Sequence, residues 1–322
     1  VTENGNYTFT TEDNWGNIST STISVQNIDI APPTILDARI ENVTKDSYDV
    51  VVKVSDDSSG INRVQFPTWT VYKGQDDLVS SWETNTAVRG TDEGNGVWRF
   101  KVYRSAHNYE FGDYITQVYV YDNAGNVTFT ELNAYLDNVP PVVYFRTSEK
   151  NWTNNDVTII VNATDVGSGV KQIKLPNGTW VSGSQATYTV QYNGLYMFVA
   201  EDNVGNQTTD YIQIGNIDKT APSKPIIFNN KDWVSANSVT FYITQGNDNL
   251  SGVKETQYKL EGATNQGWTP YISPVDITNE GETIIRARTI DVAGNASEID
   301  TSYVRIDRSS PYNIGIEIQL KK

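Results

Sequence analysis

Asp122-Asn123-Ala124-Gly125-Asn126 decides how this chain is read, because its frame occurs at three other places. Asp13-Asn14-Trp15-Gly16-Asn17 precedes it. Asp202-Asn203-Val204-Gly205-Asn206 and Asp291-Val292-Ala293-Gly294-Asn295 follow. The leading aspartates are 109, 80 and 89 residues apart. One turn repeated at domain-sized intervals describes a string of similar modules. The piece reads as a hairpin turn: Gly and Asn tolerate positive φ, and an Asp side chain bonds its own backbone.

Two further markers keep the same beat. Asp29, Asp137, Asp218 and Asp307 each precede a proline within four residues, at steps of 108, 81 and 89. A Ser-Gly followed by a β-branched residue recurs at Ser59-Gly60-Ile61, Ser168-Gly169-Val170 and Ser251-Gly252-Val253. Proline lacks a donor and holds the residue before it extended, so the Asp-to-Pro segments suit short, stiff joints. They divide the chain into 1–31, the last part of a module; full modules at 32–139, 140–220 and 221–308; and 309–322, the start of another. The simplest reading is a window on a longer protein. The rival is that strands of another molecule complete the first part-module.

The local pattern is strand. Val50-Val51-Val52-Lys53-Val54, Val157-Thr158-Ile159-Ile160-Val161 and Thr283-Ile284-Ile285-Arg286-Ala287-Arg288 are rich in β-branched residues. No run of helical period is long enough to compete. Frequent turn residues point to a sandwich or barrel. Gly5-Asn6-Tyr7, Gly112-Asp113-Tyr114 and Gly194-Leu195-Tyr196 each stand just ahead of an Asp turn, while the fourth module has Thr283 in place of the tyrosine. This Gly-x-Tyr resembles the tyrosine corner of immunoglobulin-like domains, where a phenol caps backbone groups between strands. Phe9 and Phe198, two residues on, take the place where antibody domains carry a disulfide cysteine.

The whole chain therefore resembles the immunoglobulin-like repeats of large bacterial surface proteins. The resemblance implies an all-β fold of tandem immunoglobulin-like β-sandwiches in an elongated rod. Residues 32–139 resemble something narrower. Trp69-Thr70-Val71, Gly74-Gln75-Asp76-Asp77-Leu78, Trp82, Trp98, His107 and Gly112-Asp113-Tyr114 follow the order of the group B streptococcal Bsp-like repeat. That likeness implies a wall-associated protein of a Gram-positive bacterium. Modules 140–220 and 221–308 are closer to each other: Lys150-Asn151-Trp152-Thr153 matches Lys231-Asp232-Trp233-Val234.

Composition agrees with an extracellular location. The chain has no cysteine, which removes disulfides, thiolate metal sites and Cys nucleophiles and favours a bacterial exterior over a vertebrate one. A net charge of −15 disfavours nucleic acid and anionic lipid as partners. No apolar run approaches a membrane span, and no signal peptide is seen.

Catalysis is not expected. There is one histidine, no strained nucleophile turn, no phosphate loop and no zinc spacing. Two binding chemistries stay open. Asp29, Asp137 and Asp218 at the joints, with Asp122 and Asp202 at the turns, are candidate calcium ligands, since hard cations want several oxygens. Asp13 and Asp291 at the other turns, and Asp56, Asp57, Asp165 and Asp248 beside the Ser-Gly pairs, would add to them on convergence. Turn chemistry alone also explains recurrent Asp. Trp69, Trp82, Trp98 and His107 are candidate glycan contacts, because indole faces suit pyranose rings; core packing is the competing role.

The leading expectation is thus a non-catalytic stalk or fibre that spaces or presents an adhesive or enzymatic domain, its partners being neighbouring modules of the same chain. Wall- or host-glycan-binding accessory modules, and a filament subunit assembled by strand donation, are the alternatives.

Overall fold

The computed structural model describes residues 1–310. The expected start of a further module at 309–322 falls, from 311 on, outside the described residues. The described chain is β-strand throughout, with two three-residue 3-10 turns at Thr86–Val88 and Arg104–Ala106.

Residues 142–214 show the plan most plainly. One sheet orders Val142–Thr147, Val157–Thr164 and Gln185–Val190; the other orders Trp180–Ser182, Val170–Lys174, Gly194–Asp202 and Gln207–Ile214. The fifth strand crosses back to pair with the second, and the sixth pairs with the third. That Greek-key exchange between two antiparallel sheets is the immunoglobulin-like sandwich. Val157–Thr164 alternates buried and half-buried positions, which places Val157, Ile159, Val161 and Ala163 in the core, as the two-residue period of a strand requires.

Residues 226–306 repeat the plan, and Trp233–Val234 adds a short parallel pairing onto Asp300–Ile306. Thr153 makes the equivalent parallel bridge to Ile217, so the matched Lys-x-Trp segments play one part in two modules. Residues 34–136 keep the two sheets but spend 71–90 on an excursion between Thr68–Thr70 and Thr91–Gly94.

The three sandwiches close three separate cores. These centre on Tyr48, Phe66, Tyr114 and Val118; on Ile159, Ile173 and Phe198; and on Phe241, Ile285 and Val304. The exposed area, 19276 Å2, exceeds the roughly 13,000 Å2 of a single compact body of this mass. The chain is a tandem string of β-sandwiches, not one globule. Ahead of them lies the lone hairpin of Gly5–Glu12 and Ile18–Val25, on which Phe9 stays exposed.

The tyrosine corners are present. Tyr114 Oη donates to the carbonyl of Glu110 at 2.7 Å, Tyr196 Oη to that of Tyr192 at 2.6 Å and Tyr7 Oη to that of Glu3 at 2.5 Å, each four residues back. Where the fourth module has Thr283, its hydroxyl instead accepts from the Thr264 amide at 3.1 Å. The position two residues after each corner is buried in the three sandwiches, as Thr116, Phe198 and Ile285.

Candidate cation sites at the module joints

The recurrent turn is built locally. Asp202 Oδ1 accepts from the amides of Val204 and Asn206, and Oδ2 accepts from Asn206 Nδ2 at 2.7 Å. Asp122 and Asp291 hold Asn126 and Asn295 in the same way. The glycine between them sits at φ of +96°, +94° and +98° in the three sandwiches, a backbone that a Cβ would strain.

Each of these turns also reaches the joint. Asn126 Nδ2 donates to the Asp29 carbonyl at 3.2 Å, Asn206 Nδ2 to that of Asp137 at 3.2 Å and Asn295 Nδ2 to that of Asp218 at 2.9 Å. The joint carboxylate then enters the Ser-Gly loop. Oδ2 of Asp29, Asp137 and Asp218 accepts from the amides of Ser59, Ser168 and Ser251 at 3.0, 2.7 and 3.0 Å. The loop closes on itself, with Asp56, Asp165 and Asp248 accepting from Gly60, Gly169 and Gly252 at 2.6, 2.7 and 2.6 Å. Three sequence markers are thus three sides of one junction, in which a linker Asp locks onto two loops of the module it enters.

The outcome is a carboxylate triad at each of the three joints that lead into a described sandwich: Asp29, Asp56 and Asp122; Asp137, Asp165 and Asp202; Asp218, Asp248 and Asp291. Within each, one oxygen per residue lies within 4.8 Å of the others. Asp137, Asp202, Asp218 and Asp291 are fully buried, whereas Asp29 keeps some exposure. Among the described residues, no Lys or Arg pairs with any of the nine. Asp165 Oδ1 is enclosed without a hydrogen-bond partner.

Desolvation works to raise the Asp137 and Asp218 carboxyls. The amides of Val139 and Ser168, and the hydroxyls and amides of Thr220 and Ser251, outweigh it and hold both below the usual carboxylate range. Asp29 is likewise held low, chiefly by Ser59. The linker carboxyl at each of these joints is therefore held in its charged form.

All five sequence-nominated metal ligands lie in these triads, joined by Asp56, Asp165, Asp248 and Asp291. Asp57 stays on the surface, and Asp13 bonds only its own turn. The sequence reading missed the clamping role of Asn126, Asn206 and Asn295. Their constant place four residues after the Asp was the available signal.

The nominated glycan contacts are not an exposed platform. Trp69 and Trp98 are buried among core residues at 8% and 7% exposure, and His107 is buried against Asp77 and Tyr114. Trp82 packs on Tyr119, ring centroids 4.5 Å apart. Trp69 and Trp98 stand on buried strand positions, Trp82 lies in the 71–90 excursion and packs down on Tyr119, and His107 lines the space beneath it, so packing takes their faces.

Residues 38–135 match the GBS Bsp-like repeat. The match spans both sheets and the excursion of the first full sandwich. No curated protein matches the chain. Among solved structures, the chain is similar to one from a study of host cell surface retention of a 1.5-MDa bacterial ice-binding adhesin (14% identity, 87% of this chain and 100% of that one, TM-score 0.45). It is also similar to a tetra-tandem repeat in the extending region of a large adhesion protein (15% identity, 95% and 82%, TM-score 0.28). A third likeness is to the fibronectin(III)-like modules of Clostridium thermocellum CbhA (16% identity, 53% and 98%, TM-score 0.27). No helix among the described residues is long and apolar enough to cross a membrane.

Proposed function

We propose that this chain is a non-catalytic stalk of a bacterial surface or secreted protein, holding an adhesive or enzymatic domain away from the cell. The observation that carries this reading is the pairing of three self-contained cores with joints that are hydrogen-bonded into the following module. Independent cores let a string yield one unit at a time, while locked joints resist bending. The Bsp-like match over 38–135 supports a surface setting. Single-molecule pulling tests it: three abrupt releases are expected, each lengthening the chain by roughly 250–340 Å, as about 80–110 unravelled residues give. One smooth extension rejects the stalk.

The unpaired triads favour an addition to this reading, in which calcium is the joint's missing counter-charge. Buried carboxylates without a basic partner are costly unless an ion or proton joins them, and its hydrogen bonds hold the linker Asp of each triad against protonation. Calcium takes six to eight oxygens at about 2.3–2.6 Å; the triad supplies carboxylate oxygens from three separate segments. Calorimetric unfolding with CaCl2, MgCl2 or a chelator tests it. Calcium at 100 times its Kd stabilises by about 2.7 kcal/mol per site. Identical transitions in all three buffers leave turn chemistry as the whole account.

A further inference from the structure

The Bsp-like module contains a feature that a stalk does not need. Its excursion roofs a cavity of about 320 Å3, roughly twice the ~150 Å3 of an apolar cavity able to take benzene. Val79, Val88, Phe100 and Val102 form apolar walls, and Thr68 and His107 are the buried polar groups in the lining.

Those two polar groups differ in what they have left to offer. Thr68 Oγ1 is committed to the Phe66 carbonyl and to Thr116 Oγ1, which in turn meets Tyr48 Oη. His107, with its side chain 6% exposed, has Nδ1 2.8 Å from Asp77 Oδ2. Asp77 is itself fixed by the Thr70 amide. A carboxylate there accepts, so Nδ1 carries the proton and Nε2 presents its lone pair. Nε2 has no hydrogen-bond partner among the described residues. Burial pushes the imidazole down against the pull of Asp77, which keeps it neutral.

A mainly apolar cavity with one convergent, pre-oriented polar atom is the usual form of a small-molecule site. We propose that it binds a phenol: a compact aromatic ring between the valines and Phe100, its hydroxyl donating to His107 Nε2. An acceptor in an apolar pocket selects a ligand with one donor over its purely apolar isostere, because the bare ligand leaves the acceptor unpaired. Phenol donates more strongly than an alkanol, and a flat ring of this size fits the volume. This site is independent of the stalk and of the joints.

His107 is the single histidine of the chain, so its ring nitrogens give the one imidazole pattern in a 15N spectrum. The test titrates the full chain with p-cresol, toluene and N-acetyltyrosinamide. The expected result is saturable p-cresol binding about tenfold tighter than toluene, the equivalent of one hydrogen bond, with an Nε2 shift for p-cresol only. Ala87 and Ala106 stand on the exposed rim. Ala87→Phe and Ala106→Phe should each weaken p-cresol binding at least tenfold with unfolding temperatures unchanged. Binding of p-cresol without N-acetyltyrosinamide identifies a free small phenol, and binding of both identifies a tyrosyl side chain as an admissible source. Equal affinity for toluene, no saturable binding, or rim variants that bind as before would overturn the proposal.

Discussion

The Asp13 and Asp202 turns share one frame and the same internal bonds, yet only one belongs to a junction. Asp13 accepts from the Trp15 and Asn17 amides and from Asn17 Nδ2 at 2.7 Å, matching Asp202 bond for bond. Asp13 is exposed; Asp202 is sealed beside Asp137 and Asp165. The turn is therefore a local object, complete in five residues. The junction is a tertiary object that uses the turn's outer face. The Asn that ends the frame does double duty only where a linker carbonyl arrives to be clamped.

The sharpest way to break this contrast is to remove the linker carboxylate. With calcium present, Asp137→Ala leaves the Val139 and Ser168 amides without their acceptor. It should lower the stability of the 140–220 module by about 2–3 kcal/mol in scanning calorimetry. Asp13→Ala should move none of the three sandwich transitions. Equal effects from the two would mean the junction adds nothing to the turn.

Chelation makes the same comparison without mutation. All three sandwich transitions should fall on adding EDTA, and the first should respond least, because Asp29 keeps exposure where Asp137 and Asp218 have none. Hydrogen exchange at the Ser59, Ser168 and Ser251 amides would report each joint separately; uniform protection in both buffers argues against an ion.

Tyrosine corners extend the contrast at smaller cost. Tyr114 is fully buried, so Tyr114→Phe should cost its module about 1 kcal/mol. Tyr7→Phe, which removes the same bond from an exposed hairpin, should leave all sandwich transitions unmoved.

Acid sharpens the comparison between modules. Only the 32–139 module holds a histidine, and burial lowers that group's pKa in the fold. A depressed His contributes stability that is complete above its unfolded value, about 6.5, and is lost as pH falls through the folded value. Asp137 and Asp218 are also depressed, but from about 3.8, so their contribution persists until pH drops below that range. On lowering the pH from 7 to 5, the Bsp-like module alone should lose stability. A drop of equal size in the other two modules would sink this assignment.

Much of the molecule was legible because its signals are short-range. Alternating burial in Val157–Thr164, the corner at Tyr196 and the turn at Asp202 each depend on residues two to four positions apart. Those spacings are printed in the chain. The candidate site was legible only in part: the sequence supplied the right residue type at the right beat and left the partners open. Trp69, Trp98 and His107 went the other way. A tryptophan in a strand points inward or outward according to register, fixed here by the pairing of Trp69 with Ile115 and of Trp98 with Val52, whereas His107 ends a turn beside the cavity that the 71–90 excursion covers.

The sequence by itself determined the all-β tandem fold, the turn and corner chemistry and the acidic beat, since hydrogen bonds within a few residues and strand periodicity need no distant partner. Tertiary structure alone decided that Asp137, Asp165 and Asp202, separated by dozens of residues, converge on one carboxyl cluster, and that His107 lines a cavity. The physical reason is that convergence depends on how two sheets stack and where their loops meet, which no local propensity encodes.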